Sequence, residues 1–169
     1  MRNCLLILIL IGNCSISFGQ DAFANALASL NLELEFQPKT DSYTTSNKPN
    51  QDFVTQFEKC ADYEKLERLS ELDFDLITKV KCSDLITSKW EGKWQIEFRE
   101  WEFESESCAT DFMSTLDSLQ HNRIQVCVSK GGIMWLRDEN KIYLVTSGAY
   151  FVTYHYKEIK SAIIEGLKK

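Results

Sequence analysis

The chain is poor in the residue types on which most catalytic and metal centres rest. It holds two histidines, His121 and His155, and only two prolines and seven glycines in 169 residues. No glycine-rich loop opens a helix to cradle a phosphate, and "SKGG" at 129–132 joins two strand patterns instead. H-E-x-x-H, G-x-S-x-G and a calcium loop are missing as well; Asp73-Phe74-Asp75 runs into Ile77 with no turn glycine where further ligands belong. Nothing implies a cofactor or a metal. Positive charge is also short, with 19 basic against 25 acidic residues, a net charge of −6 and no basic cluster. That balance excludes the electrostatic footprint of a nucleic-acid binder, so a charged partner is expected to be cationic. No apolar run approaches the roughly 20 residues of a transmembrane helix.

The longest such run, "LLILILI" from Leu5 to Ile11, follows Arg2 and precedes the small residues Ser17 and Gly19. A positive start, a short apolar stretch and small residues before a cleavage point describe a secretory signal over residues 1–19, so the chain is expected to be secreted or periplasmic. Cys14 offers a lipid-anchoring alternative, but Asn13 stands where a small residue belongs. Of the six cysteines, Cys4 and Cys14 leave with the signal, and Cys60, Cys82, Cys108 and Cys127 remain. An even number in an exported chain, with no C-x-x-C, reads as two disulfides, Cys60 with Cys82 and Cys108 with Cys127 being the pairing expected.

Residues 20–36 carry two patterns at once. Phe23, Leu27, Leu30 and Leu34 recur at helical spacing, whereas "LNLELEF" from Leu30 to Phe36 alternates without a miss, and the strand has the cleaner count. Residues 37–52 contain both prolines and almost nothing apolar, which reads as a flexible linker long enough to bring that strand back over the body as a sheet edge.

Residues 53–169 read as one α+β domain. A helical hairpin is expected first, over Phe53–Leu69 and Leu72–Ser88, although "FDLITKV" could equally be extended. "KWQIEFREWEF" from Lys93 is a strand whose apolar parity flips after Phe98, as a β-bulge near Arg99 and Glu100 would produce. A helix follows with the stripe Cys108, Phe112, Leu116 and Leu119. Then come three strands: "RIQVCV" from Arg123, "IMWLR" from Ile133 and "IYLV" from Ile142. The last two are apolar on both faces, the mark of strands covered on both sides. "DENK" turns one into the other, with Asn140 suited to the left-handed position. Ile159, Ala162, Ile163 and Leu167 line a C-terminal helix. The order αα-β-α-β-β-β-α gives a mostly antiparallel sheet, a β-α-β-β-β core meander, with an N-terminal helical hairpin, a C-terminal helix and disulfide stabilisation.

The function expected is binding of a protein or envelope component through an acidic and aromatic surface. Glu100, Glu102 and Glu104 share a strand face, and Tyr150, Tyr154 and His155 lie in the tyrosine-rich "YFVTYHY". The rival is an enzyme using His155 with a nearby carboxylate. "SGAYFV" at 147–152 loosely resembles the Ser-Gly-x-x-Tyr loop of periplasmic lysozyme inhibitors, secreted acidic proteins whose targets are basic enzymes. Phe151 stands where that loop has tyrosine, and those inhibitors are essentially all-β, so six residues assign no family.

Overall fold

The computed structural model describes residues 21–40, 42–46, 72–120 and 132–169. The signal, the first helix of the expected hairpin, the "RIQVCV" strand, Cys60, His121 and Cys127 lie outside the described residues.

Helix α1 spans Ala22–Leu34, and the alternating "LNLELEF" is its last turn and cap, not a strand. Asp21 caps it by accepting from Phe23 N–H at 3.2 Å, and Glu35 ends it in the left-handed conformation at φ 56°. The helical stripe won because a neighbour exists for it: Phe23, Ala26, Leu30 and Leu34 are buried. Leu32, on the opposite side, is 71% exposed, and Phe36 returns to the core only because the chain reverses at Glu35.

Two short strands follow, β1 at Gln37–Pro38 and β2 at Thr44–Ser46, where a linker was expected. Both pair antiparallel with β3, Ile77–Thr87, which a 3₁₀ turn over Phe74–Leu76 introduces. The expected second helix of the hairpin is therefore this strand. Its Ile77, Thr78, Val80, Ile86 and Thr87 are β-branched, which suits a pleated surface better than a helix. Strand β4 is Trp94–Phe103, helix α2 is Glu106–Gln120, β5 is Gly132–Asp138 and β6 is Lys141–Ser147. A one-turn helix α3 at Phe151–Tyr154 leads into α4 at Tyr156–Leu167. Among the described residues the sheet has six strands, all antiparallel, in the order β1-β3-β4-β6-β5 with β2 also on β3.

The parity flip in β4 has a different cause from the bulge expected at Arg99 and Glu100. Pairing of β4 with β6 runs without a shift from Ile96–Ser147 to Glu102–Lys141, and the irregularity lies in β3, between Ile77 and Lys79. The strand is covered on both faces by two separate cores. Ile96 and Phe98 join Phe23, Leu30, Tyr143, Val145, Phe151 and Ile163 on the α1, α3 and α4 side. Trp101 and Phe103 join Phe112, Leu116, Ile142 and Leu144 on the α2 side. Helices thus cover both faces of the sheet, and β6, buried from Ile142 to Val145, is the doubly covered strand its sequence describes. Strand β5 is equally apolar but ends the strand order among the described residues. At the β5–β6 turn, Glu139 rather than Asn140 takes the left-handed position, at φ 49°. Asn140 instead uses its side chain, donating to the Phe103 carbonyl at 2.7 Å.

Two glycines mark close approaches. A Cβ on Gly166 of α4 would lie 2.6 Å from the Ala26 Cα of α1. One on Gly132 would lie 2.8 Å from Thr153 Oγ1.

Candidate binding cleft

Strand β5 carries side chains to both sides of the sheet, and a helix overhangs each side: α2 over the Trp135 face, α4 over the Met134 and Leu136 face. Residues of the two helices and the strand line a cleft of about 600 Å³. Met134, Trp135 and Leu136 form its floor, α2 contributes Met113 and Asp117, and α4 contributes Tyr156, Lys160, Ile164, Leu167 and Lys168. Arg137 and Asp138 stand at the end of the strand. The α4 wall is a second stripe at every fourth residue, 156, 160, 164 and 168, beside the buried stripe of Ile159, Ala162 and Ile163.

The polar groups of the cleft are held in place. Trp135 donates its indole N–H to Asp117 Oδ1 at 2.7 Å, which occupies that carboxylate and fixes the ring. Arg137 reaches Glu106 Oε1 at 2.9 Å and the Glu139 carbonyl at 2.8 Å, both through Nη1. Lys160 donates to the Tyr156 hydroxyl at 3.2 Å and lies over its ring, and Lys168 pairs with Glu165 at 3.0 Å.

The residues singled out from the sequence do not assemble into one surface. Glu100 is buried, Glu102 half-buried and Glu104 exposed, while Tyr154 is 77% exposed and Tyr150 and His155 are half-buried. The β4–β6 register pairs Ile96 with Ser147 and Glu102 with Lys141. The tyrosine-rich segment thus follows one end of the sheet and the lower glutamates the other, roughly 20 Å apart along six strand residues. Tyr150 serves the backbone: it and Ala149 both adopt left-handed conformations in the turn from β6 to α3. Phe151 is buried in the core, so the loop that resembles the lysozyme-inhibitor segment turns its aromatic residue inward.

His155 is packed between rings, with its centroid 4.4 Å from that of Trp90 and 4.6 Å from that of Phe151. Its Nδ1 is buried without a hydrogen-bond partner among the described residues. A general base needs a group that orients it, so this setting suits packing.

Glu100 belongs to a buried ionic cluster under the start of α1. Lys81 lies directly opposite it across β3 and β4, with its Nζ 3.2 Å from Glu100 and 2.5 Å from the Asp21 carboxylate. Lys141 approaches Glu100 at 3.6 Å, and Tyr43 donates to Asp21 at 2.6 Å. Burial alone would lower the Lys81 ammonium, but the bond to Asp21 and the charge of Glu100 outweigh it and hold the group above its ordinary value. Burial likewise would raise Asp21, yet its bonds from Lys81 and Tyr43 keep it below the usual carboxylate value. Burial, then the Glu100 charge, push the Tyr143 hydroxyl far up. The acidic ridge expected on the surface is therefore, at Glu100, an anchor for the N-terminal helix.

Among the described residues Cys82 and Cys108 are free thiols, and Cys60 and Cys127, the other members of the expected bridges, lie outside them. Burial, then the charge of Glu97, push the Cys82 thiol up to about 11, away from the reactive thiolate. Sequence reasoning passed over the cleft residues. The signal available was the stripe Tyr156, Lys160, Ile164 and Lys168 facing an apolar strand that ends in Arg137.

What the fold and the cleft define is an α+β domain with helices on both faces of an antiparallel sheet and a concave site beside β5, the last strand in the order among the described residues. No helix among the described residues is long and apolar enough to cross a membrane. No family model, curated protein or solved structure matches the chain.

Proposed function

We propose that the protein is an exported, non-enzymatic binding domain whose ligand occupies the cleft along β5. The cleft carries this reading. Its volume of about 600 Å³ falls within the range of small-ligand sites, and its lining sets the apolar Met113, Met134, Trp135, Leu136, Ile164 and Leu167 beside charged groups, several of them fixed by hydrogen bonds. The export part rests on residues 2–19, with their positive start, apolar stretch and small cleavage residues. The packing of His155 between Trp90 and Phe151 supports binding over catalysis, since the enzyme reading needs that histidine as a base. Glu102, Glu104 and Tyr154 are left as the more open parts of the acidic and aromatic surface, and a cationic protein partner would meet them separately.

The chain contains three methionines, of which Met113 and Met134 line the cleft and Met1 heads the signal. Carbon-13 methyl labelling of methionine therefore reads occupancy with almost no overlap. A fragment set spanning apolar acids, sugars and short peptides should shift both methyl signals, and Ile164→Glu, which places a charge on the half-buried α4 wall, should abolish the response without unfolding the domain. If every class leaves both methyls unmoved, the cleft is not the binding site.

A further inference from the structure

Resting on that reading, we propose that the ligand is a single-chain amphiphile with a carboxylate head, of the fatty-acid class. The apolar part of the cleft suits a flexible chain. Met113 of α2 and Met134 of β5 both line it, with Leu136 and Ile164, and unbranched thioethers adapt to a bent alkyl chain better than rigid walls do. A space of about 600 Å³ accommodates one such chain rather than the paired chains of a diacyl lipid.

The charges select the head. Arg137, Lys160 and Lys168 line a cleft on a protein whose net charge is −6, so the cations run against the general charge of the molecule. Of the acids at the cleft, Asp117 is held by the Trp135 indole, Glu106 by Arg137 Nη1 and Glu165 by Lys168, and Asp138 is exposed at the hairpin, so Lys160 is the cation with no carboxylate partner among the described residues. Among the described residues Arg137 meets Glu106 and the Glu139 carbonyl through Nη1, which leaves Nη2 and Nε to present to a carboxylate the paired donors that fit its two oxygens. A neutral head would gain little from those paired donors, and a cationic one would meet donors in place of acceptors.

The test titrates the full chain, labelled at the methionine methyls, with octanoate, decanoate and dodecanoate below their micelle concentrations. Decanol and decyltrimethylammonium serve as length-matched neutral and cationic probes. Both methyls should shift, and affinity should tighten about fourfold per added methylene, as burial of one CH₂ predicts. Decanol should bind at least tenfold more weakly than decanoate. Arg137→Gln should bring decanoate down to the decanol level while decanol is unchanged, and Ile164→Glu should abolish both with the melting temperature retained. Equal binding of decanol and decanoate, preference for the ammonium, or binding indifferent to chain length would overturn the proposal. So would a response to vesicles of anionic diacyl lipid without one to free acids. If fragments of another class move the two methyls and no amphiphile does, the amphiphile assignment fails and the binding cleft stands; silence to every probe removes both.

Discussion

Replacing Gly166 by alanine tests how α1 is held. Glycine in a helix interior costs about 1 kcal/mol relative to alanine, so propensity alone makes Gly166→Ala stabilising. The structure reverses the sign. The new Cβ would meet Ala26 Cα at 2.6 Å, Asn25 O at 2.7 Å and Ala26 N at 2.9 Å, all backbone atoms that no rotamer change can move. Relief requires α1 and α4 to part by about 1 Å, and a gap of that size forfeits a quarter to a half of each dispersion contact. The contacts at risk belong to Phe23, Ala26 and Leu30, all fully buried. Overpacking of this kind costs about 1–3 kcal/mol, and the loosened contacts of α1 add to it, so a net loss of about 1–2 kcal/mol remains after the propensity gain. In a chain of this size that is a fall of about 2–8 °C in Tm. Thermal and urea unfolding followed by circular dichroism measure it, and hydrogen exchange should show the α1 amides opening first. Gly148→Ala is the control, because nothing lies within 4 Å of its Cβ position. A Gly166→Ala protein as stable as the parent would refute the close-packed account of the α1–α4 contact.

Lys81→Met should destabilise by about 3 kcal/mol, because it leaves the buried Glu100 with only the more distant Lys141 as an opposite charge; the double variant Lys81→Met, Glu100→Leu should recover part of that loss in the same melts. Stability should also fall at both ends of the pH scale. Asp21 titrates below its ordinary 3.8 when folded, so its share is present above that pH and is lost as pH falls through the folded value; Asp21→Asn should flatten the acid limb. The Cys82 thiol is raised from 9.0 to about 11, so the share tied to its neutral form is intact below pH 9.0 and lost as pH climbs through about 11; Cys82→Ala should flatten the alkaline limb.

The parts of the fold legible in the sequence were those where one pattern stood alone. "IMWLR" and "IYLV", apolar on both faces with a four-residue turn signal between them, became the β5–β6 hairpin, and the Ile159, Ala162, Ile163 stripe became α4. Misreadings arose where two patterns overlapped or the deciding partner was distant. "LNLELEF" alternates, yet Phe23, Ala26, Leu30 and Leu34 find a surface only because residues near 160 supply it. Polar residues 37–46 look like a linker because their partner is backbone: β1 and β2 add to the edge of β3 through main-chain bonds that ask little of side chains. The flip in β4 resembles a bulge because one strand crosses from one core to the other, which a single sequence cannot distinguish. Glu100 passed for a surface residue because its partner Lys81 lies 19 positions earlier on a segment read as helix. The cleft was harder still, since residues from α2, β5 and α4 assemble it and each type is ordinary on a helix surface.

The packing of α1 on α4 ties residues 22–34 to residues 156–167, the most widely separated contact surface in the described chain. During synthesis α1 emerges well before α4, and until then Phe23, Ala26 and Leu30 have no complete cover. An isolated helix of 13 residues is marginal in water, so α1 cannot wait as a formed element. Contacts of such long range must pay the loop-closure entropy of nearly the whole chain before they stabilise anything, which slows folding and delays it until the last dozen residues arrive. The architecture thereby makes closure of α1 onto α4 the step that commits the chain to the native state.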